Sequence, residues 1–492
     1  MSSSSENKPI DLNFESLFKT INRTLRANLS HPKIVRDFRW FWKFCVLYGI
    51  FLSVFFLLLY SIYFHDLRNG DSTQACANGI LCVIYIVVTF NYCIMFTYKN
   101  VLEDLIDKMN IDYQLAKNYS KKEQKVVLKF AQKGQGVAKF WLIVGTCAGI
   151  LFIVKQVFLT IYYTATSGFR FIHLYELTYP DVVEEMKNDL IVYCILYIYF
   201  LFYDIFAAIM FIGFAPMGSI FMLHACGQLE LSKNRILAIF NKNNSSDEIN
   251  KKLRDVAEFL NTTYRFIDSI QISFKVLYEL TLKSTTIVVP ITFYQILESF
   301  KKDDFRVEFI TIVVGGITLS SIPCYYSDVL QEAGEKLRMA VYVCGWETHW
   351  ERKSRTMILM LLLRTSRPVA IRTMFQDVCL HALTDVYHQA YAIFKVRTHL
   401  SGAARRFSEL HVAAQSFKIS FLSFCMAHIA LERRGAALHR ALPRGTAGEN
   451  ILKRTEATRS AVTLVRHTQR RGAALQYAYV ARIRYTRILL GI

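Results

Sequence analysis

The apolar residues of this chain are gathered into long blocks rather than spread in stripes, and that limits the available folds most. "FWKFCVLYGIFLSVFFLLLYSIYF" at 41–64 has one charge in its whole length. About 20 continuous apolar residues cross a bilayer as a helix, because lipid offers no partner to unpaired backbone groups. Clear blocks lie at 40–64, 76–98, 140–162, 190–225 and 308–326. Two weaker ones lie at 277–298, which holds Lys283 and Pro290, and at 370–396. The fourth block is longer than one crossing needs, so part of it is expected to tilt or project. The expectation is an all-α membrane protein with seven transmembrane helices. A soluble chain of 492 residues would instead divide into domains built from amphipathic elements.

Lys and Arg are retained on the cytoplasmic side of a membrane, so their distribution among the loops sets the orientation. Residues 1–39 hold seven Lys/Arg, 99–139 nine, 226–276 eight and 327–369 seven. By contrast 65–75 holds only Arg68, and 163–189 only Arg170 and Lys187. These alternate, which predicts a cytoplasmic N-terminus and an extracellular end to the seventh span. The acid-rich stretch "HLYELTYPDVVEEMKNDL" at 173–190 then falls in an outer loop. The six glycosylation sequons, beginning at Asn22, Asn28, Asn118, Asn243, Asn244 and Asn261, all fall on the predicted inner side, where they stay unmodified. Residues 1–39 carry no short apolar core with a cleavage site, so no removable signal is expected. Most of the 11 cysteines sit inside spans, and no extracellular disulfide framework is visible.

A cytoplasmic N-terminus argues against the seven-helix G-protein-coupled receptors, and neither D-R-Y after the third span nor N-P-x-x-Y in the seventh is present. The chain instead resembles the insect odorant receptors over residues 1–400. An aromatic fourth span runs into "FAPMGSIFMLHACGQLELSKNRI", and the sixth ends in "IPCYYSDVLQEAGEKLRMAVYVCGWE". Then follow "LLLRTSRPVAI" and "DVYHQAYAIFKVRT". The resemblance implies a ligand-gated, non-selective cation channel in the plasma membrane, with no catalytic activity and no cofactor. It implies a hetero-oligomer, a tetramer, with the family's co-receptor, gated by a small volatile apolar ligand and surrounded by membrane lipid, with no nucleic acid partner. The loop between the fourth and fifth spans is shorter than the co-receptor's, which makes this the odour-tuned subunit. The gustatory receptors' seventh-span signature is absent from "DVYHQAYAIFKV". A metabotropic or gustatory-type chemoreceptor is the alternative; a transporter would need an internal repeat, and none is visible.

A ligand site in such a bundle is apolar and aromatic with few polar anchors. The outer halves of the second, third, fourth and sixth spans offer Tyr85, Phe158, Tyr162, Tyr197, Phe200 and Ile312, each open also to a packing or membrane-edge role. Lys155 and Asp204 lie within spans, where a charge costs about 2.5–3.5 kcal/mol unless paired or wetted. They either pair with each other or face a cavity. In the seventh span Asp377, His381, Asp385 and His388 recur at helical spacing on one face, opposite Val378, Leu383, Tyr387 and Ala390. Such a polar stripe suits a pore-lining helix. Asp385 is the expected cation-facing group, and Gln389, Ile393 and Val396 follow it along the helix as the constriction. A metal site is disfavoured, since the stripe has no ligand from another helix.

The organisation expected is a cytoplasmic segment 1–39, six spans with loops over 40–326, cytoplasmic anchor helices over 327–369, and the pore-lining span over 370–400. Residues 401–492 depart from this pattern. They carry 2 Lys against 14 Arg and repeat "RRGAAL" at 433–438 and 470–475, a shift that marks the segment as foreign in composition, disordered or artefactual. The run 417–431 is short for an eighth crossing.

Overall fold

The computed structural model describes residues 12–166, 168, 171–175, 177–240, 244–301 and 307–401, with only the backbone course for 72–73, 297–301, 307–308 and 395–401. The segment 402–492, including the run 417–431, lies outside the described residues. Among the described residues the regular structure is helical, apart from one isolated bridge between Arg372 and Asp377. The helices are α1 (Phe14–Leu17), α2 (Lys19–Ala27), α3 (Phe38–Tyr60), α4 (Ser72–Thr97), α5 (Lys99–Ala116), α6 (Lys121–Thr166) and α7 (Asp181–Met186). They continue as α8 (Leu190–Phe214), α9 (Met217–Leu237), α10 (Ser246–Lys301), α11 (Val307–Tyr342), α12 (Arg352–Thr365) and α13 (Leu380–Ser401).

Six stretches are long and apolar enough to cross a membrane: Phe38–Asp66, Gln74–Thr97, Lys121–Thr166, Leu190–Leu237, Ser246–Ile296 and Phe309–Thr348. Together with α13 they match the expected number of helices. Their lengths differ from the apolar blocks. α6 has 46 residues and α10 has 56. At 1.5 Å per residue these far exceed a bilayer core of about 30 Å. The basic stretches read as loops in the sequence are therefore largely helical extensions of the spans. The long fourth block breaks at Ala215–Pro216, where Pro216 caps α9. Nearly all of α9 is buried, from Met217 through Leu229. It packs on α6, α10 and α11 as the axis of one end of the bundle.

Two large packed regions, with a smaller cluster of Val137, Trp141 and Leu223, make up the core among the described residues. At the end holding the N-terminal helices, α2, α5, α9, α10, α11 and α12 share one core around Phe221, Leu229, Ile270 and Leu337. Its main buried polar group is Asp112, whose carboxylate accepts from His224 Nε2 at 3.0 Å and Gln228 Nε2 at 3.3 Å and pairs with Lys108 at 2.9 Å. Burial works against the charge of Asp112, but His224 and Lys108 hold its pKa below the ordinary carboxylate range. Close approach between spans relies on small residues. A Cβ on Gly145 of α6 would lie 2.6 Å from Ile212 Cγ1, and one on Gly218 of α9 would lie 2.0 Å from the Tyr278 hydroxyl.

The second core lies between α3, α4 and α8 and is closed by the segment before α7. Leu174, Tyr175, Leu177 and Tyr179 are as buried as span residues. The acid-rich stretch thus has two parts, an aromatic strip tucked into the bundle and an acidic surface on α7. Those acids stay at the surface, with Asp181 and Glu185 exposed.

The helix expected as the seventh span begins at Leu380 rather than 370. Residues 371–378 form a tight loop, closed by Val378 N–H to the Ile371 carbonyl at 2.8 Å and by the Arg372–Asp377 ion pair at 3.0 Å. Asp377 therefore leaves the helical stripe expected for it. Asp328 of α11 takes over the start of α13, accepting from Leu380 N–H at 3.0 Å, as a carboxylate at a helix N-terminus does.

Candidate functional site

The aromatic strip forms a lid over the bundle end where α3 meets α4. Tyr175 joins the lid to the spans. Its ring lies 5.4 Å from both Phe152 and Phe200, and its hydroxyl donates to the Asp204 carboxylate. Asp204, buried within α8, is thus held by the lid rather than by Lys155. Its second oxygen has no partner among the described residues. Gln156 on α6 fixes the lid from a second side. Its Nε2 donates to the Ile172 carbonyl and to the Tyr193 hydroxyl, each at 2.8 Å, while Tyr193 donates to the same carbonyl at 3.0 Å. At the base of the lid Tyr179 N–H donates to Glu184 at 3.0 Å, and Glu184 pairs with Lys187. Burial opposes the charge on Glu184, but these bonds keep its pKa low. Burial lowers the His173 pKa, and Lys187 adds to the effect, so the ring is neutral near pH 7.

Beneath the lid is a cavity of about 50 Å³. Its walls come from α4 (Asn78, Leu81), α6 (Phe152, Lys155, Gln156, Leu159), the lid (Ile172 to Tyr175) and the start of α11 (Phe309, Ile312). A wider vestibule of about 990 Å³ shares Gln74, Lys155, Leu159, Ile172, His173 and Tyr175 with it and opens past Phe158, Tyr163 and Lys187. The cavity alone is smaller than the roughly 150 Å³ that holds a benzene ring, so a ligand whose polar group reaches it must extend its apolar body into the vestibule.

The structure brings two of the six sequence candidates to this space. Ile312 lines the cavity and Phe158 lines the vestibule, with 66% of its surface exposed. The other four line neither. Tyr85 is buried in stacks with Phe51 and Phe55, its hydroxyl 3.0 Å from that of Tyr48. Phe200 is fully buried beneath Tyr175. Tyr197 stacks on Tyr193, and Tyr162 is exposed against Tyr163. Sequence reasoning missed Asn78, Gln156, His173 and Tyr175. Gln156 carried a signal, being an amide beside Lys155 within an apolar span. His173 and Tyr175 carried little, because their stretch read as an acidic loop.

The helix α13 is two-faced. Leu383, Val386 and Ala390 are buried against neighbours that include α10 and α11, and Tyr387 meets the Ser321 hydroxyl at 2.9 Å. His381, Asp385, His388 and Gln389 are exposed on the other side, with His381 Nδ1 3.5 Å from Asp385. Ile393 is 39% exposed. Val396 lies on the same helix, outside the residues whose side chains are described.

The family profile described as 7tm Odorant receptor matches residues 71–391. Solved structures similar to the chain include two of an insect receptor. One is the insect olfactory receptor OR5 from Machilis hrabei, with TM-score 0.60, 16% identity, and coverage of 78% of this chain and 97% of that one. The other is the same receptor in complex with eugenol, with TM-score 0.61, 13% identity, and coverage of 79% and 98%. At these identities the likeness is one of fold. No curated protein matches the chain.

Proposed function

Since the chain belongs to the 7tm odorant receptor family, we propose that it is an odorant-gated, non-selective cation channel subunit of the plasma membrane. It works as a hetero-oligomer with the family's co-receptor and supplies the odour-tuned site. The observation that carries this reading is the two-faced α13. A membrane helix that turns His381, Asp385, His388 and Gln389 away from its own bundle needs water or another subunit on that side. Around a shared pore both needs are met, and Asp385 favours cations in the wet path. Gln389, Ile393 and Val396 follow it along the pore. The odorant enters the lidded cavity, which Ile312 lines, through the vestibule, which Phe158 lines, while Tyr85, Tyr162, Tyr197 and Phe200 shape the surrounding aromatic packing. The N-terminus is cytoplasmic and the lid extracellular, following the basic loops.

The test is co-expression with the co-receptor, with odour-evoked current recorded while G-protein signalling is blocked. A current that persists under the block supports the channel. A response that vanishes with the block replaces the channel with a metabotropic receptor.

A further inference from the structure

We propose that the lidded cavity selects ligands bearing a hydroxyl group, small alcohols and phenols, over ethers, carbonyls and amines of the same skeleton. The proposal deepens the odorant-gated reading and rests on it. Its basis is the way two amide side chains at the cavity wall are tied. The N–H bonds of Gln156 are both committed, one to the Ile172 carbonyl and one to the Tyr193 hydroxyl, each at 2.8 Å. Asn78 Nδ2 donates to the Asp66 carboxylate at 2.7 Å and to the Ser61 hydroxyl at 3.4 Å. A carbonyl and a carboxylate can only accept, so the nitrogen of each amide must face its anchor and neither amide can flip. Each amide oxygen is thereby presented as a fixed acceptor. Among the described residues neither has a hydrogen-bond partner, and both side chains line the cavity. Nε2 of His173, buried at the same wall, also lacks a partner.

Lys155 stands on the opposite side of the account. It lines the cavity and is already engaged with another group, but an ammonium carries three donors and keeps capacity for a ligand oxygen. The polar wall therefore asks for a group that donates to the Gln156 or Asn78 oxygen and accepts from Lys155. A hydroxyl does both. A carbonyl or ether satisfies only the lysine and sets its lone pairs against the amide oxygens. An ammonium satisfies the oxygens but meets a like charge. Leaving a site's polar group unpaired is what rejects an analogue most strongly. The cavity is small, so the hydroxyl enters it while the apolar body of the ligand extends past Leu159 into the vestibule beside Phe158 and Tyr163.

The experiment uses the full chain in lipid nanodiscs and, in parallel, co-expressed with the co-receptor. The probes are benzyl alcohol, benzyl methyl ether, benzaldehyde and benzylamine. Binding is read by thermal stabilisation, independently of current. Benzyl alcohol should bind about tenfold tighter than the ether and the aldehyde, the size expected of one buried hydrogen bond made or lost. Gln156→Leu combined with Asn78→Leu removes both acceptors and should bring the alcohol, the ether and the aldehyde to within about twofold of each other. Should that double variant fail to reach the membrane, Gln156→Leu and Asn78→Leu made singly should each narrow the ratio in part. Equal binding of alcohol, ether and aldehyde to the parent chain overturns the proposal, as does a ratio that survives the loss of both amide oxygens. Selective binding without any current supports the ligand class and refutes the gating reading instead. No stabilisation by any of the probes refutes the cavity as a ligand site for both.

Discussion

Replacing Tyr175 by Phe removes one oxygen atom and leaves the ring in place. The ring contacts with Phe152, Phe200 and Tyr203, at 5.4, 5.4 and 6.4 Å, can all persist. What is lost is the hydrogen bond to Asp204, a residue only 8% exposed whose other oxygen has no partner among the described residues. A buried polar group stripped of its partner costs about 1–3 kcal/mol, more when it is charged. Tyr203→Phe is the matched control. Its hydroxyl donates to the Leu81 carbonyl at 2.7 Å, a neutral bond with a net worth of about 1 kcal/mol. Tyr175→Phe should therefore destabilise more than Tyr203→Phe. Adding Asp204→Leu should restore stability, since removing both polar partners is far cheaper than removing one. Thermal unfolding of the full chain in nanodiscs reads the stability, and odorant potency reads the lid. If Tyr175→Phe matches Tyr203→Phe, or if Asp204→Leu makes it worse, the carboxyl is not held by the lid and the reasoning fails.

Gly218→Ala should be harmful despite the gain of about 1 kcal/mol in helix propensity, because its Cβ would lie 2.0 Å from the Tyr278 hydroxyl. Overpacking of this kind costs about 1–3 kcal/mol, and Tyr278→Phe should suppress it in unfolding curves; failure to suppress would place the strain elsewhere. Burial, then Arg26, lower the His31 pKa from 6.5 to about 4 against the weaker pull of Glu15. The folded state thus prefers the neutral ring, a contribution complete above pH 6.5 and lost as the pH falls toward 4. His31→Asn should flatten the melting temperature over that window, and an unchanged slope would clear His31 of the effect. Asp385→Asn should reduce cation preference in reversal potentials measured in salt gradients, whereas Asp181→Asn on α7 should leave it unchanged. An N-terminal tag should be labelled only after permeabilisation and a tag beside Asp181 on intact cells; the reverse pattern would invert the topology.

The spans were legible in the residue order because crossing a bilayer is a local matter of length and apolarity. The run at 41–64 is long and apolar enough to cross without help from the rest of the chain. The same reasoning failed where several segments share one decision. Basic stretches read as loops were continued as helix in α6 and α10, because packing at that end of the bundle supplies buried surface that the local pattern does not announce. Asp377 had the right spacing for the α13 stripe but pairs with Arg372 in the preceding loop, and Asp328 of α11 caps the helix instead. Aromatic character alone singled out Tyr85 and Phe200, and packing buried both. The cavity depends on contacts between residues such as Asn78, Gln156, Ile172 and Ile312, far apart in the chain. Which atoms of Gln156 face it depends on what Ile172 and Tyr193 accept or donate. Membrane insertion is decided residue by residue against a uniform solvent and can be read from composition. A binding site is decided by the hydrogen bonds left over when neighbours have taken theirs, and those neighbours meet only in the folded chain.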